Sequence, residues 1–497
     1  MSSTATTNPT TDRSFFGHPR GLATLFMTEM FERFSYYGMR AILILYMVAK
    51  IDKGGLGFGD QKAGSVYGMY VAMVYLMCLG GGWIADRITG QRKAVMIGGI
   101  LIAAGEFSLV VPGEPFFYLG LVLLMAGTGM LKGNVSTIVG QLYPQGDPRR
   151  DSGFSIFYMG INIGALISPI LCGYVAERIS WRLGFGVAGL GMMFGLVQYL
   201  ITAHHLGNAG LHPASTGDPE RDRRERSSAI RGVGIGIGVL VLIGVLAAMG
   251  VINLSPTAIS DGVGWFLLAI TAVVFAWLIF LGNWSPVERK RSAAVLVLFV
   301  ASALFWAAFE QAGSSLNLFA ERSTNCNLFG FDFPASWYQT VQPIFVISLA
   351  PVFAWLWLAL GRKEPAAPGK FMFGLLFGGL AFLILVPAAT LTLSGGKAGP
   401  WWLIGTYFLQ TLGELCLSPV GLSAMSKLAP ARAAGFMMGI WFLSTAIGNW
   451  LAGRAVTISA SMSLPTMFGS VGWFSIGAAV VLALLIKPTV RLMQGVK

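Results

Sequence analysis

The sequence predicts an all-α membrane protein of fourteen transmembrane helices, arranged as six, two and six. Three observations carry this. Of 497 residues, 55% are apolar and 11% charged, and the mean hydropathy is +0.68, which excludes a soluble enzyme of ordinary make-up. Apolar stretches of about 20 residues, the length a helix needs to cross a bilayer, recur along the whole chain. Lys and Arg are unevenly placed: with the amino terminus inside, about 23 fall in inner segments and about 8 in outer ones. The net charge of +12 is therefore a topology signal and not a nucleic-acid footprint.

Residues 1–20 form a polar tail with Pro9 and Pro19, and the apolar run that follows is too long for the core of a cleavable signal. Spans are expected at 21–49, 61–85, 93–111, 115–142, 151–175 and 182–202. These make a first six-helix bundle over 21–202. Residues 203–230, rich in Arg, Asp, Gly and Pro, read as an inner linker whose arginines, from Arg221 to Arg231, face anionic lipid. The segment 231–291 holds two further spans, 231–252 and 262–282, with Asp261 in the turn between them and a basic inner stretch ending at Arg291. A second six-helix bundle, 292–490, follows with spans at 292–318, 336–360, 370–394, 399–427, 431–457 and 465–487, then a tail, 491–497. An even number of spans puts both termini on one side, the cytoplasmic one.

Other local patterns give little chemistry. Cys78, Cys172, Cys326 and Cys416 show no pairing and no metal-ligand spacing. The run Gly232-Val-Gly234-Ile-Gly236 lies inside a span, so it reads as small-residue packing and not as a phosphate loop. Asn134-Val-Ser136 scans as a glycosylation site, but it too is within a span.

The first span is the exception to an apolar membrane. Glu29, Glu32, Arg33, Tyr36, Tyr37 and Arg40 fall at i, i+3, i+4, i+7, i+8 and i+11, one stripe of a helix turning about 100° per residue. Each ionisable group at bilayer depth costs roughly 3 kcal/mol on insertion scales. Such groups persist where they face each other and a wet cavity, so the stripe marks a path for a charged or polar solute. An amphipathic helix lying on the membrane is the weaker reading, because the opposite face is apolar and long enough to cross. The first bundle, with Glu29, Glu32, Arg33, Arg40 and Lys132, is net positive; the second, with Glu310 and Glu414, is net negative. Opposite charge on two halves suits a zwitterionic solute and gating by ion pairs between them.

Three patterns together resemble the proton-dependent oligopeptide transporter family of the major facilitator superfamily. They are Glu29-x-x-Glu32-Arg33-Phe34-x-Tyr36-Tyr37 in the first span, and Phe154-Ser-Ile-Phe-Tyr158-Met-Gly-Ile-Asn162-Ile-Gly164-Ala-Leu166 in the fifth. The third is Gly81-Gly82-Trp-Ile-Ala-Asp86-Arg87-Ile-Thr-Gly90-Gln-Arg92-Lys93 between spans two and three. The last marks only the superfamily. The resemblance implies a major facilitator fold and import of di- and tripeptides driven by the proton gradient, and the six-two-six plan matches bacterial members.

Residue chemistry agrees. A short peptide presents an ammonium and a carboxylate roughly 5–9 Å apart. Arg33 and Lys132 suit the carboxylate, the first as a fork and the second as a point charge. Glu414 suits the ammonium. The resemblance adds Tyr37, Tyr75, Asn162 and Glu310 to the binding site, with Trp306 and Trp441 in side-chain pockets; Tyr36 and Ser418 are placed with them. Asn162 could instead bond a neighbouring helix, and tryptophans more often pack or sit at the membrane interface. Gln342, before Pro343, departs from relatives that carry Asn there, which puts amine selectivity at that pocket in question.

The proton carrier cannot be histidine, since His18, His204, His205 and His212 all lie in a tail or loop. Gly68 stands where animal relatives have a transport histidine. Proton coupling therefore falls to carboxylates, with Glu29, Glu32, Glu310 and Glu414 as candidates and Glu29, Glu32 and Glu310 preferred. Arg40–Glu310 and Lys132–Glu414 are expected to be gating pairs. The expected protein is a monomeric inner-membrane symporter with protons, short peptides and membrane lipid as partners. It has no metal, no nucleic acid, no cofactor beyond the coupling proton and no enzymatic activity. The alternative is a proton-coupled relative carrying a peptide-like drug or nitrate, though Glu414 disfavours nitrate.

Overall fold

The computed structural model describes residues 12–144, 147–213, 215, 217–251, 255–429, 434–459 and 461–496. Most of the tail expected at 1–20, and the first residues of the span expected at 431–457, lie outside the described residues. The helices are α1 Arg20–Val48, α2 Asp60–Ile84, α3 Gln91–Val110, α4 Glu114–Gln141, α5 Arg150–Arg178, α6 Trp181–Thr202, α7 Pro219–Ala248 and α8 Pro256–Ala276. They continue as α9 Pro286–Phe309, α10 Ser315–Ser323, α11 Val341–Leu360, α12 Ala367–Leu383, α13 Leu385–Leu393, α14 Pro400–Leu428, α15 Ala434–Ser459 and α16 Leu464–Leu492. With α9–α10 and α12–α13 each taken as one interrupted rod, fourteen rods are present among the described residues. Eleven helical segments are long and apolar enough to cross a membrane. The charged stripe keeps α1 out of that set.

The sequence reading placed several boundaries differently. The linker expected over 203–230 becomes helical at Pro219, because Asp218 caps the turn and proline suits the first helical position. Asp218 Oδ1 accepts from the amides of Glu220 (3.0 Å) and Arg221 (3.3 Å). Asp261 is not in a turn: α8 begins at Pro256, and Asp261 lies in its second turn, 2.5 Å from Arg454 Nη1. The span expected at 292–318 breaks into α9, a 3-10 turn Glu310–Gly313, and α10. The span expected at 370–394 breaks at Ile384, where Pro387 in the next turn has no amide to bond backwards. A short antiparallel hairpin, β1 Asn327–Leu328 with β2 Phe331–Asp332, turns through Phe329 and Gly330, both at positive φ.

The chain divides into two compact units. Unit 1 is Met1–Met39, Leu76–Ser168 and Arg182–Ala258; unit 2 is Arg40–Tyr75, Pro169–Trp181 and Ile259–Lys497. Membership thus changes within α1, between Met39 and Arg40.

Glycines set the helix spacing in each unit. In unit 1 a Cβ on Gly164 of α5 would lie 2.4 Å from the Met30 carbonyl of α1, and one on Gly191 of α6 would lie 2.4 Å from the Phe34 ring. α1 is therefore clasped by small residues on two sides. In unit 2 the backbones of α2 and α15 touch at Gly68 and Gly453, where a Cβ on Gly68 would meet the Gly453 Cα at 2.6 Å. No histidine side chain fits at Gly68. The apolar core of unit 2 gathers around Phe319, Phe382, Tyr407 and Phe468.

Candidate functional site

In unit 1 the stripe is a closed charge cluster. Glu29, Glu32 and Arg33 are 2%, 0% and 3% exposed, so this is not a solvated helix face. Arg33 Nε donates to Glu29 Oε1 at 2.9 Å and lies 2.6 Å from Glu32 Oε2. The guanidinium also stands 5.5 Å over the Tyr36 ring, which meets Tyr37 edge-on at 5.2 Å. Lys132 of α4 is half-buried and within electrostatic reach of Arg33, Glu32 and Glu29. Two carboxylates thus face two cations, and the formal charges cancel. Asn162 of α5 is buried, and its Nδ2 donates to the Tyr158 carbonyl one turn back on its own helix.

In unit 2 the cluster is assembled from distant segments. Arg40 Nη2 donates to Glu310 Oε2 at 2.7 Å, and Arg40 Nε donates to the Tyr67 hydroxyl at 3.0 Å. Arg40 and Glu310 are both buried. Gly313 makes room for them: a Cβ there would lie 1.9 Å from the Tyr67 oxygen and 2.9 Å from Arg40 Nε. Gln342 Nε2 donates to Glu414 Oε2 at 2.6 Å, so the longer amide reaches the carboxylate and leaves its own carbonyl as acceptor. No cation among the described residues of unit 2 lies within ion-pair distance of Glu414. Its nearest charges are those of Glu310 and Arg40. The cluster of Arg40, Glu310 and Glu414 therefore holds two carboxylates and one cation.

The other expected residues of unit 2 line up as follows. Tyr75 stacks on Phe442 at 6.5 Å. Trp306 packs edge-on with Phe305 and Phe309, and its Nε1 finds no hydrogen-bond partner among the described residues. Trp441 is buried against Phe371 and fits α14 only because Gly421 offers no Cβ, which would stand 2.2 Å from its ring. Ser418 is half-buried one turn beyond Glu414. Lys132 belongs to unit 1 and Glu414 to unit 2.

Sequence reasoning missed several groups. Glu106 of α3 is fully buried; one carboxyl oxygen accepts from Ser35 of α1 at 3.0 Å and the other has no partner among the described residues. Gln410, one turn before Glu414, is buried, and neither of its amide atoms has a hydrogen-bond partner among the described residues. Asp60 receives both Nη atoms of Arg322, at 2.7 and 2.8 Å. Only Glu106 carried a visible signal, as a lone acid in an apolar span. Asp60 and Arg322 look like ordinary loop charges until the fold joins them.

Outside the spans, His18 is buried, with Nδ1 2.9 Å from the Tyr143 hydroxyl. Burial holds its pKa below the usual 6.5, Arg149 adds to this, and Asp147 opposes it.

A model described as "POT family" matches residues 92–215 and 266–474. "Peptide transporter YePEPT" of Yersinia enterocolitica is 40% identical, with 98% of each chain covered. A "Di-/tripeptide transporter" of Lactococcus lactis is 36% identical over 98% of this chain and 99% of its own. The crystal structure of a peptide transporter POT in complex with sulfate has 41% identity and a TM-score of 0.89, with 97% of each chain covered.

Proposed function

Because the chain belongs to the POT family, a family of multi-pass membrane transporters, we propose that it is a proton-coupled importer of di- and tripeptides. The observation that carries the reading is the charge balance: a neutral cluster of four charges in unit 1, and in unit 2 an acid, Glu414, with no cation at ion-pair distance among the described residues of that unit. A peptide ammonium supplies that missing positive charge, with the free Gln342 carbonyl as a second acceptor. The peptide carboxylate goes to Arg33 and Lys132, which it can enter only by competing with Glu29 and Glu32. Tyr36, Tyr37, Tyr75, Asn162, Ser418, Trp306 and Trp441 are the remaining binding groups. Recognition of termini leaves side chains loosely read, so specificity is broad.

Protons enter through carboxylates, since His18 lies before α1 and Gly68 excludes a histidine on α2. Protonating Glu310 removes its charge and frees Arg40. Within unit 2 that pair, the Asp60–Arg322 pair and the bond from Asn317 Nδ2 to the Ala41 carbonyl (2.7 Å) tie residues 40–75 to the turn Glu310–Gly313 and to α10. Alternating access needs these ties to break. Both termini are taken as cytoplasmic in the inner membrane, so the tied end faces outward. An inward proton gains about 2.3 kcal/mol per 100 mV.

Uptake of alanyl-alanine into liposomes tests the reading, with competition by unlabelled peptides and collapse by a protonophore expected. Uptake that survives the protonophore, or accumulation of nitrate in place of peptide, would sink it.

A further inference from the structure

The ties of unit 2 include one of a different chemistry. Glu177, in the last turn of α5, reaches the residues that lead into α11, a separation of 158 positions. Its Oε2 accepts from the Ala335 amide at 2.8 Å and its Oε1 from the Ser336 amide at 2.9 Å. These amides open the helical turn Ala335–Thr340, and first-turn amides have no acceptor of their own. Pro334 offers no capping side chain, so the cap comes from another helix, and a negative charge there is favoured by the helix dipole. The approach is close by construction. A Cβ on Gly173 would lie 2.1 Å from Ser336 Oγ, and Trp337 Nε1 donates to the Ile170 carbonyl at 3.1 Å.

We propose that Glu177 is a positioning residue of the transport cycle, clamping the start of the 335–360 helix and releasing it on taking up a proton. The inference rests on the reading above that this end of unit 2 opens during transport. Glu310 and Asp60 are held by guanidiniums, which stay charged when the carboxylate is neutralised. Glu177 is held by neutral amides. A proton on it turns one accepting oxygen into a donor facing an N–H, and leaves no cation stranded. The side chain is only partly buried, so bulk protons reach it. The titratable and charged groups facing it are Glu321 of α10 and the Cys326 thiol beyond α10, which itself feels Lys397, and Arg178 follows it on its own helix. Arg178 is occupied with the Asp332 carbonyl at 3.2 Å.

The test uses the full chain in liposomes and reads two quantities. Hydrogen exchange over residues 333–340, corrected for intrinsic pH dependence, should rise at neutral pH by about tenfold or more in Glu177→Gln, the loss of a charged hydrogen bond. Wild type should reach that level only in acid. Alanyl-alanine uptake at fixed inner pH should depend less steeply on outer pH in Glu177→Gln, the dependence carried by Glu310 remaining, while Glu177→Asp, which keeps the charge, retains the wild-type profile. Unchanged exchange in Glu177→Gln overturns the clamp, and so does a wild-type pH profile of uptake. Wild-type peptide counterflow reports on the transport reading alone; the exchange measurement decides the clamp whatever that counterflow shows.

Discussion

The charge clusters of the two units are built in opposite ways. That of unit 1 is mostly local: Glu29, Glu32 and Arg33 share under three turns of one helix with Tyr36 and Tyr37, and Lys132 comes from α4. That of unit 2 is assembled over long distances, with Arg40 and Glu310 270 positions apart and Gln342 and Glu414 72 apart. The local cluster is neutral and persists for as long as α1 is a helix. The distant one is short of positive charge, and every bond in it breaks if the helices of unit 2 move. Under the proposed function the first is a fixed binding group and the second a switchable one, and α1 contributes to both because its membership changes at Arg40.

The comparison breaks most sharply at Glu310. Glu310→Gln is expected to cut proton-driven uptake of alanyl-alanine by an order of magnitude or more while peptide counterflow continues. Loss of neither would remove Glu310 from coupling. Next comes Arg33. Arg33→Ala leaves two buried carboxylates with Lys132 alone to balance them, a loss of about 3 kcal/mol, so little folded protein should be recovered from membranes. Arg33→Lys should fold and yet raise KM, since a point charge cannot reproduce the fork. Normal yield of Arg33→Ala would show that the cluster is not closed.

A smaller effect is expected at Gln342. Gln342→Asn shortens the amide by one methylene and withdraws it from Glu414, a charged hydrogen bond between two half-buried side chains worth about 1.5 kcal/mol. The change should appear in KM for dipeptides and not in the outer-pH profile; the reverse split would place Gln342 in coupling. Asp60 and Arg322 are about one-third and two-fifths exposed, so removing Arg322 should cost about 1 kcal/mol at most, read as a shift in Tm.

The smallest effect is at His18. Its folded pKa lies below the unfolded value, so the fold is unaffected above about pH 6.5 and loses stability as pH falls below it. Tm measured from pH 7.5 to 5.5 should therefore fall less in His18→Gln than in wild type; parallel curves would remove His18 as the cause.

The number of spans, the six-two-six plan and the helix 1 stripe were legible because each depends on composition or on helical period within one segment. Breaks at Glu310–Gly313 and at Ile384 were not, because an apolar run looks continuous whether or not its backbone bonds are. The early start of α7 was hidden by its charge, although Asp218 and Pro219 were the visible cap.

From the sequence alone follow the residue types at bilayer depth, the absence of a histidine that could carry the proton there, and the two acids, Glu310 and Glu414, placed within spans after residue 292. Only the tertiary structure decides which charges meet. It pairs Arg40 with Glu310 and Tyr67, Asp60 with Arg322, and Glu177 with the amides of Ala335 and Ser336. The physical reason is range. Periodicity fixes neighbours within a few turns, whereas contacts between distant segments depend on helix spacing, set here by glycines such as Gly173 and Gly313.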